Sequence, residues 1–402
     1  MQKRRYQHGP RRGSTTRHFG PSTRPRGGNR GGKQFINPDR FVKVADPAAV
    51  HSYSAQHSFA DFAIHPLLKS NVAIKGYQTP SEIQDKTIPL GLAGRDVVGV
   101  ANTGTGKTAA FALPILNRLL HEPSAVALIM TPTRELAIQI EGQCKIFARN
   151  SGLNGALLIG GLPLGRQTTS LKHNPRIIIG TPGRIKDHIK QGNLSLASCN
   201  MVVLDEVDRM LDMGFLPDMR FLLNMLPDRR QSFFFSATLG AEVSRLISSF
   251  TKDPVTVNVR VSETSDNVHQ NIVKYSGKHE RLDRLHDVLI ADGMSKALIF
   301  GDTKYGVERL AKELSARGFS AASLHGGKNQ GQRQRALDSF RSNGTNVLVA
   351  TDVAARGIDV IDISHVINFD QPKTYNDYIH RIGRAGRAGK TGHALTFVAS
   401  TP

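Results

Sequence analysis

Tryptophan is absent from the 402-residue chain, and aromatic residues make up only 6%. That scarcity counts against a sheet of base-stacking aromatics of the kind that reads single-stranded RNA. Cysteine is almost missing as well. Cys144 and Cys199 cannot build a disulfide scaffold or a cysteine zinc site, and they point to a reducing compartment such as the cytoplasm. No uncharged apolar run approaches the ~18 residues that a membrane span needs. The start of the chain lacks the apolar stretch of a secretory signal. A membrane partner is therefore not expected. Acid is scarce: 33 Asp and Glu stand against 53 Lys and Arg, for a net charge of +20. A surplus of that size favours a polyanionic partner, nucleic acid first.

The charge is unevenly placed. Residues 1–43 carry twelve Lys and Arg against Asp39 alone, so they hold +11 and the rest of the chain +9. This stretch is rich in Gly, Pro and Ser, with Arg26-Gly27-Gly28 and Arg30-Gly31-Gly32 in succession. It buries too little apolar surface to offset its ordering entropy, so a disordered basic tail is expected over 1–56. As a flexible coil, its first 43 residues would reach roughly 35 Å, enough to gather an RNA or DNA backbone. Residues 34–45 differ from the rest of the tail. Asn37 suits an N-cap, Pro38 the first helical position and Asp39 the helix dipole, with Ile36 and Phe41 as a hydrophobic staple. A short helix is expected near 38–45, docked on the core or on a protein partner.

From residue 57 the pattern alternates. Nearly continuous apolar runs, 96–101, 125–130, 155–160, 176–180, 201–205, 232–238 and 254–259, are separated by helix-period segments. Strands buried on both faces read this way. A polar stretch, RVSETSDNVHQ, interrupts the pattern, which resumes at 296–300, 320–325, 346–351, 365–369 and 393–398. The expectation is an α/β chain with two similar domains, 57–258 and 271–402, joined by a linker at 259–270. Each is a parallel sheet with helices on both faces.

Directly after the first strand comes ANTGTGKT, 101–108, followed by a helix-forming run. A Gly-rich loop between strand and helix offers backbone N–H groups and a positive helix end to phosphates. Thr103, Gly104, Thr105 and Gly106 would form the cradle. Lys107 would reach the β- and γ-phosphates, and Thr108 would ligate Mg²⁺. A hundred residues on, the apolar strand MVVL ends in Asp205, Glu206 and Asp208. Acids at the tip of a parallel strand sit where open sheets bind ligands. Asp205 would hold Mg²⁺ through water, and Glu206 would orient and deprotonate the attacking water.

ANTGTGKT, PTRELA (132–137), TPGR (181–184), DEVD (205–208), SAT (236–238), ATDVAARGID (350–359) and HRIGRAGR (380–387) follow one another in this order. The series resembles the DEAD-box group of superfamily 2 RNA helicases and covers about 57–399. The resemblance implies two tandem RecA-like domains, ATP with Mg²⁺, and RNA as partner. GYQTPSEIQ (76–84) resembles the family's Q motif, which would pair the Gln84 amide with adenine and lay Phe59 on its face. On composition alone Phe59 is a core residue. Arg384 and Arg387 would act as arginine fingers on the γ-phosphate, and Asp359 would contact the ribose. Asp208, Ser236, Thr238, His380 and Arg381 would couple nucleotide state to cleft closure; for Arg381 a phosphate contact to nucleic acid competes. Arg134, Gly161, Arg184, Gly326, Arg333 and Thr351 would track the RNA backbone.

Three features depart from the family pattern. Val207 replaces an Ala, for which small repacking is expected, and Ala385 replaces a hydroxyl residue and its hydrogen bond. The chain also stops at TFVASTP, where a final helix is usual. The leading expectation is a monomeric RNA-stimulated ATPase that unwinds short duplexes or remodels RNA–protein complexes. The alternative is an ATP-gated RNA clamp with little turnover.

Overall fold

The computed structural model describes residues 36–45, 53–102, 104–259, 267–355, 358, 360, 362–386 and 390–400. The first unit opens with α1 (Pro66–Ile74) and α2 (Glu82–Leu92). It then alternates through β1 (Val97–Val100), α3 (Lys107–His121), β2 (Val126–Met130), α4 (Arg134–Phe147), β3 (Gly155–Leu158) and α5 (Leu164–Lys172). Next come β4 (Ile177–Gly180), α6 (Pro182–Lys190), β5 (Cys199–Leu204), α7 (Val207–Asp212), α8 (Leu216–Asn224), β6 (Gln231–Ser236), α9 (Ala241–Phe250) and β7 (Val255–Asn258). The second unit begins with β8 (Val268–Tyr275), α10 (Lys278–Ile290), β9 (Ala297–Phe300), α11 (Lys304–Ala316), β10 (Ala321–Leu324) and α12 (Gln330–Arg341). It ends with β11 (Val347–Ala350), α13 (Asp352–Ala355), β12 (His365–Asn368), α14 (Tyr375–Ile382) and β13 (Gly392–Ala399).

Both sheets are parallel throughout their named strands. Their orders are β3-β4-β2-β5-β6-β1-β7 and β10-β11-β9-β12-β13-β8. Helices cover both faces of each, because successive strand residues point to opposite sides. Val97, Phe233 and Phe235 enter one core with Phe111 and Ile140, whereas Val98, Val202 and Phe234 enter another with Ile185 and Leu246. The second sheet divides in the same manner, Leu298 and Val366 to one side and Ile299 and Ile367 to the other. Each such side chain gains about 1.5–3 kcal/mol on burial. Val207 and Ala385 are both fully buried in these cores. Among the described residues, no helix is long and apolar enough to cross a membrane.

Two expectations are corrected. The polar stretch read as a linker to residue 270 contains the start of β8. β8 is an edge strand in which only Val268 and Gln270 are buried and the other residues are partly covered or exposed, so its polar alternation hides it from an apolar-run criterion. The helix expected near 38–45 is a 3₁₀ turn over Pro38–Phe41 only. Asn37 caps it as its side chain accepts from the Asp39 N–H at 3.1 Å. The chain then extends, and Lys43 pairs antiparallel with Gln270 of β8. A backbone partner on an open sheet edge outweighs the propensity of so short a helix. Docking on the core, one of the two dockings expected of this segment, is what it does: Phe41 is fully buried in the second unit's core. The expectation of a tail to residue 56 fails at Tyr53 and Gln56, which bond to Asp85. Residues 1–35 lie outside the described residues.

Candidate nucleotide site and nucleic-acid cleft

The phosphate loop leaves the tip of β1 and enters α3 at Gly106, whose φ of +88° is the left-handed conformation that glycine adopts freely. A Cβ there would collide with the Gln84 amide. The loop is laced to α2. The Ser81 hydroxyl donates to the Thr105 carbonyl at 2.7 Å, and Gln84 Nε2 donates to the Gly106 carbonyl at 3.0 Å. Gln84 Oε1 accepts the Ser81 N–H at 2.9 Å, closing a capping box. The amide expected to pair with adenine is therefore spent on the loop in this structure. Phe59 also differs from expectation. It is 4% exposed and meets Phe62 and Tyr77 edge-on at 5.7 and 5.3 Å, as composition implied, so its faces lie within the core. Next to Gln84, Asp85 accepts from the Tyr53 hydroxyl, the Gln56 N–H and the His57 ring. Burial alone would raise the Asp85 carboxyl, but these donors hold it below its ordinary value.

Lys107, at the first turn of α3, is 6% exposed. Its ammonium donates to the Ala101 carbonyl at 3.0 Å and stands 4.0 Å from Asp205. Asp205 lies just past β5, with Thr108 one residue beyond Lys107. Burial raises the Asp205 carboxyl above its ordinary value; the Lys107 ammonium opposes the rise and Glu206 adds to it. A carboxyl so destabilised as an anion is a good seat for added positive charge. Among the described residues no cluster of three or more His, Cys, Asp or Glu could hold a metal. Mg²⁺ keeps most of its waters and takes one or two protein oxygens, which the Asp205 carboxylate and the Thr108 hydroxyl would supply. Glu206 precedes α7 as its N-cap, with φ 55° and ψ 54°.

Asp208 ties the acidic tip to the SAT turn after β6. Its Oδ2 accepts the Ala237 and Thr238 N–H groups and the Thr238 hydroxyl at 3.2, 3.1 and 3.2 Å. The Ser236 hydroxyl donates to the Thr238 carbonyl at 2.7 Å. The expected coupling residues of the first unit thus form one hydrogen-bonded group.

A cleft of about 310 Å³ runs between the two units and is lined by Arg134, Arg184, Gly326 and Arg333. Arg134 packs on Gly160 and Gly161, the latter at φ +81°. Arg184 donates to the Leu162 carbonyl at 3.3 Å. Burial lowers the Arg134 guanidinium from its ordinary value, and the like charges of Arg333 and Arg184 act in the same direction against Glu135. Arg333 does not point its charge freely into the cleft: its Nε donates to Glu135 of the first unit at 2.8 Å. Thr351 does not line the cleft. It starts α13 as its carbonyl accepts the Ala354 and Ala355 N–H groups.

Arg381, Arg384 and His380 share a small cavity with Arg209 and Asp377. Arg381 is 2% exposed and forks onto Asp352 at 2.6 and 2.7 Å, with further bonds to Asn368 and the Asp370 carbonyl. It clamps α13 to α14, which removes it as a nucleic-acid contact. Arg384 donates to the Ile358 carbonyl at 2.9 Å. Arg209 of α7 reaches Asp377 of α14 at 3.7 Å, a second bridge between the units. Thr103, Asp359 and Arg387 lie outside the described residues. Ser81, Asp85 and Glu135 were missed from sequence. Ser81 alone carried a local signal, the S-x-x-Q of a capping box.

Two RecA-like units bearing a phosphate loop, an acidic strand tip and a cationic cleft define a tandem nucleotide-dependent enzyme of the helicase class. A DEAD/DEAH box helicase family model matches residues 81–246, and a helicase conserved C-terminal domain model matches 279–389. The DEAD-box ATP-dependent RNA helicase CshA of Bacillus licheniformis is 43% identical over 345 residues, 85% of this chain and 70% of that protein. CshA of Bacillus subtilis is 42% identical over 343 residues, 85% and 69% of the two chains. Among solved structures, S. cerevisiae Dbp5 bound to RNA and ADP BeF3 superposes with a TM-score of 0.76 at 30% identity, covering 86% of this chain and 90% of that one. Mss116p bound to ssRNA and AMP-PNP gives 0.77 at 26% identity, covering 87% and 76%. The chain belongs to the DEAD-box family of ATP-dependent RNA helicases.

Proposed function

We propose that this protein hydrolyses ATP when RNA lies across its two units, and that closure of the cleft separates short duplexes or strips bound protein from RNA. One observation carries the reading. The acidic tip and the SAT turn form one hydrogen-bonded group through Asp208, while Arg134 and Arg184 of the first unit line a cleft whose other wall holds Gly326 and the Glu135-bonded Arg333 of the second. RNA bound there would draw the units together, and Arg384 of the second unit would approach the phosphates held by the first.

Lys107 and the loop amides bind the β- and γ-phosphates. Thr108 and Asp205 would hold Mg²⁺, whose charge would offset that of the phosphates. Glu206 takes a proton from the attacking water. Arg384, with Arg387, stabilises charge that builds up during transfer; arginines of this kind are worth about 10³–10⁵ in rate. Gln84 exchanges its bond to Gly106 for the adenine edge, so base recognition repositions the phosphate loop. Arg134, Gly161, Arg184 and Gly326 face the sugar–phosphate backbone, which gives affinity without sequence choice.

The test is the steady-state ATPase rate with single-stranded RNA, with DNA of the same sequence, and with neither, alongside strand separation of a short duplex. Stimulation by RNA together with duplex separation is the expected result. Tight ATP-dependent RNA binding with negligible turnover would instead establish a clamp.

A further inference from the structure

The geometry points to residues 36–45 as a strap that binds the second unit's sheet edge and braces α14, the helix that leads into Arg384. The strap docks as an added strand with an aromatic anchor, a recognition mode that uses backbone pairing for affinity and a side-chain pocket for specificity. The Lys43 N–H donates to the Gln270 carbonyl at 3.0 Å, and the Gln270 N–H donates back to the Lys43 carbonyl at 2.7 Å. The Ala45 N–H donates to His269 Nδ1 at 3.1 Å. Otherwise both backbone groups of Gln270 would face outward from the open edge of β8.

The anchor is Phe41. It has no exposed surface, and its ring centre lies 4.7 Å from that of Tyr378. Arg40 sits 3.7 Å over the ring of Tyr375, one turn earlier in α14. The Tyr378 hydroxyl donates to Gln270 Oε1 at 2.8 Å, and Gln270 is 4% exposed. Strap, β8 and α14 therefore close a circuit, with Gln270 bonded to both of the other members. Lost strap contacts would leave Tyr375 and Tyr378 without their outer neighbours, and α14 would be held by the Arg381 clamp at its far end. The apolar face of the segment is consumed within the chain, the docking on the core that the sequence offered beside docking on a partner.

The inference does not depend on the proposed function, and its test needs neither nucleotide nor RNA. Hydrogen exchange is followed in the full chain, in Phe41→Asp and in Lys43→Pro. Amides of 268–275 and 375–382 should exchange about tenfold faster in both variants, with β1–β7 unchanged. Equal rates in wild type and both variants would overturn the strap. Should Phe41→Asp loosen β9–β12 as well, Lys43→Pro decides, because it removes one N–H and leaves Phe41 seated. Light scattering checks the occupant: a dimer with wild-type protection would mean that the strap of a second copy fills the site, which also overturns docking within one chain.

Discussion

At the scale of single residues, backbone strain sits at Glu206, the residue proposed to take the water's proton. Glu206 holds the left-handed conformation, which costs a residue with a Cβ on the order of 1–3 kcal/mol. Asp205 helps to hold it there by accepting the Glu206 N–H at 2.9 Å. A side chain fixed by its backbone in this manner is pre-aimed. Glu206→Gln keeps the size and the backbone but cannot take a proton. RNA-stimulated kcat should fall about 10²–10⁴-fold while ATP affinity stays near wild type. Single-turnover hydrolysis and nucleotide titration measure the two separately. That Lys107 and Asp205 stand together, and that Asp208 lies at the same strand tip, was legible in the sequence because each sits in a short contiguous motif beside a buried strand. Glu135 and Asp85 were not, because their meaning comes from partners far away in sequence, Arg333 for one and Tyr53 for the other.

At the scale of elements, register creates groupings that no window of sequence displays. His365, His393 and His269 are aligned neighbours across β12, β13 and β8. Their rings stack at 4.8 and 5.3 Å. Burial, with His393 adding to it, pushes His365 down to about 4. Unfolded, this histidine takes up a proton near pH 6.5, and folded only near pH 4. Below about pH 6.5 the unfolded chain thus binds more protons, and stability falls as the pH drops from there towards 4. The thermal midpoint should decline from pH 7 to pH 5, and less steeply in His365→Gln. Strands with continuous apolar runs were readable, whereas β8, polar on its open side, was not. The capping box at Ser81 was readable in principle, but which loop it secures was not.

At the scale of the molecule, charge and geometry act together. Glu135 occupies Arg333 across the cleft, and Glu135→Gln would leave that guanidinium for a phosphate. The slope of log affinity for RNA against log salt should steepen by about one. Deletion of residues 1–33, which carry ten Lys and Arg and no acid, should flatten the same slope and leave kcat largely intact. Fluorescence anisotropy at several salt concentrations measures both variants on one plot. The two-unit plan was legible because each unit repeats a buried parallel-strand pattern. The way the units meet was not, since Glu135–Arg333 and Arg209–Asp377 join residues that no periodicity relates.

The docked segment also changes the kinematics of the pair. Ala45 on the second unit and Tyr53 on the first are eight residue steps apart, as are Val259 and Asn267 in the reverse sense. Each connection can span at most about 28 Å. With 36–45 seated, the two units are joined at two places rather than one, so the distance they can part is capped at Ala45–Tyr53 as well as at Val259–Asn267.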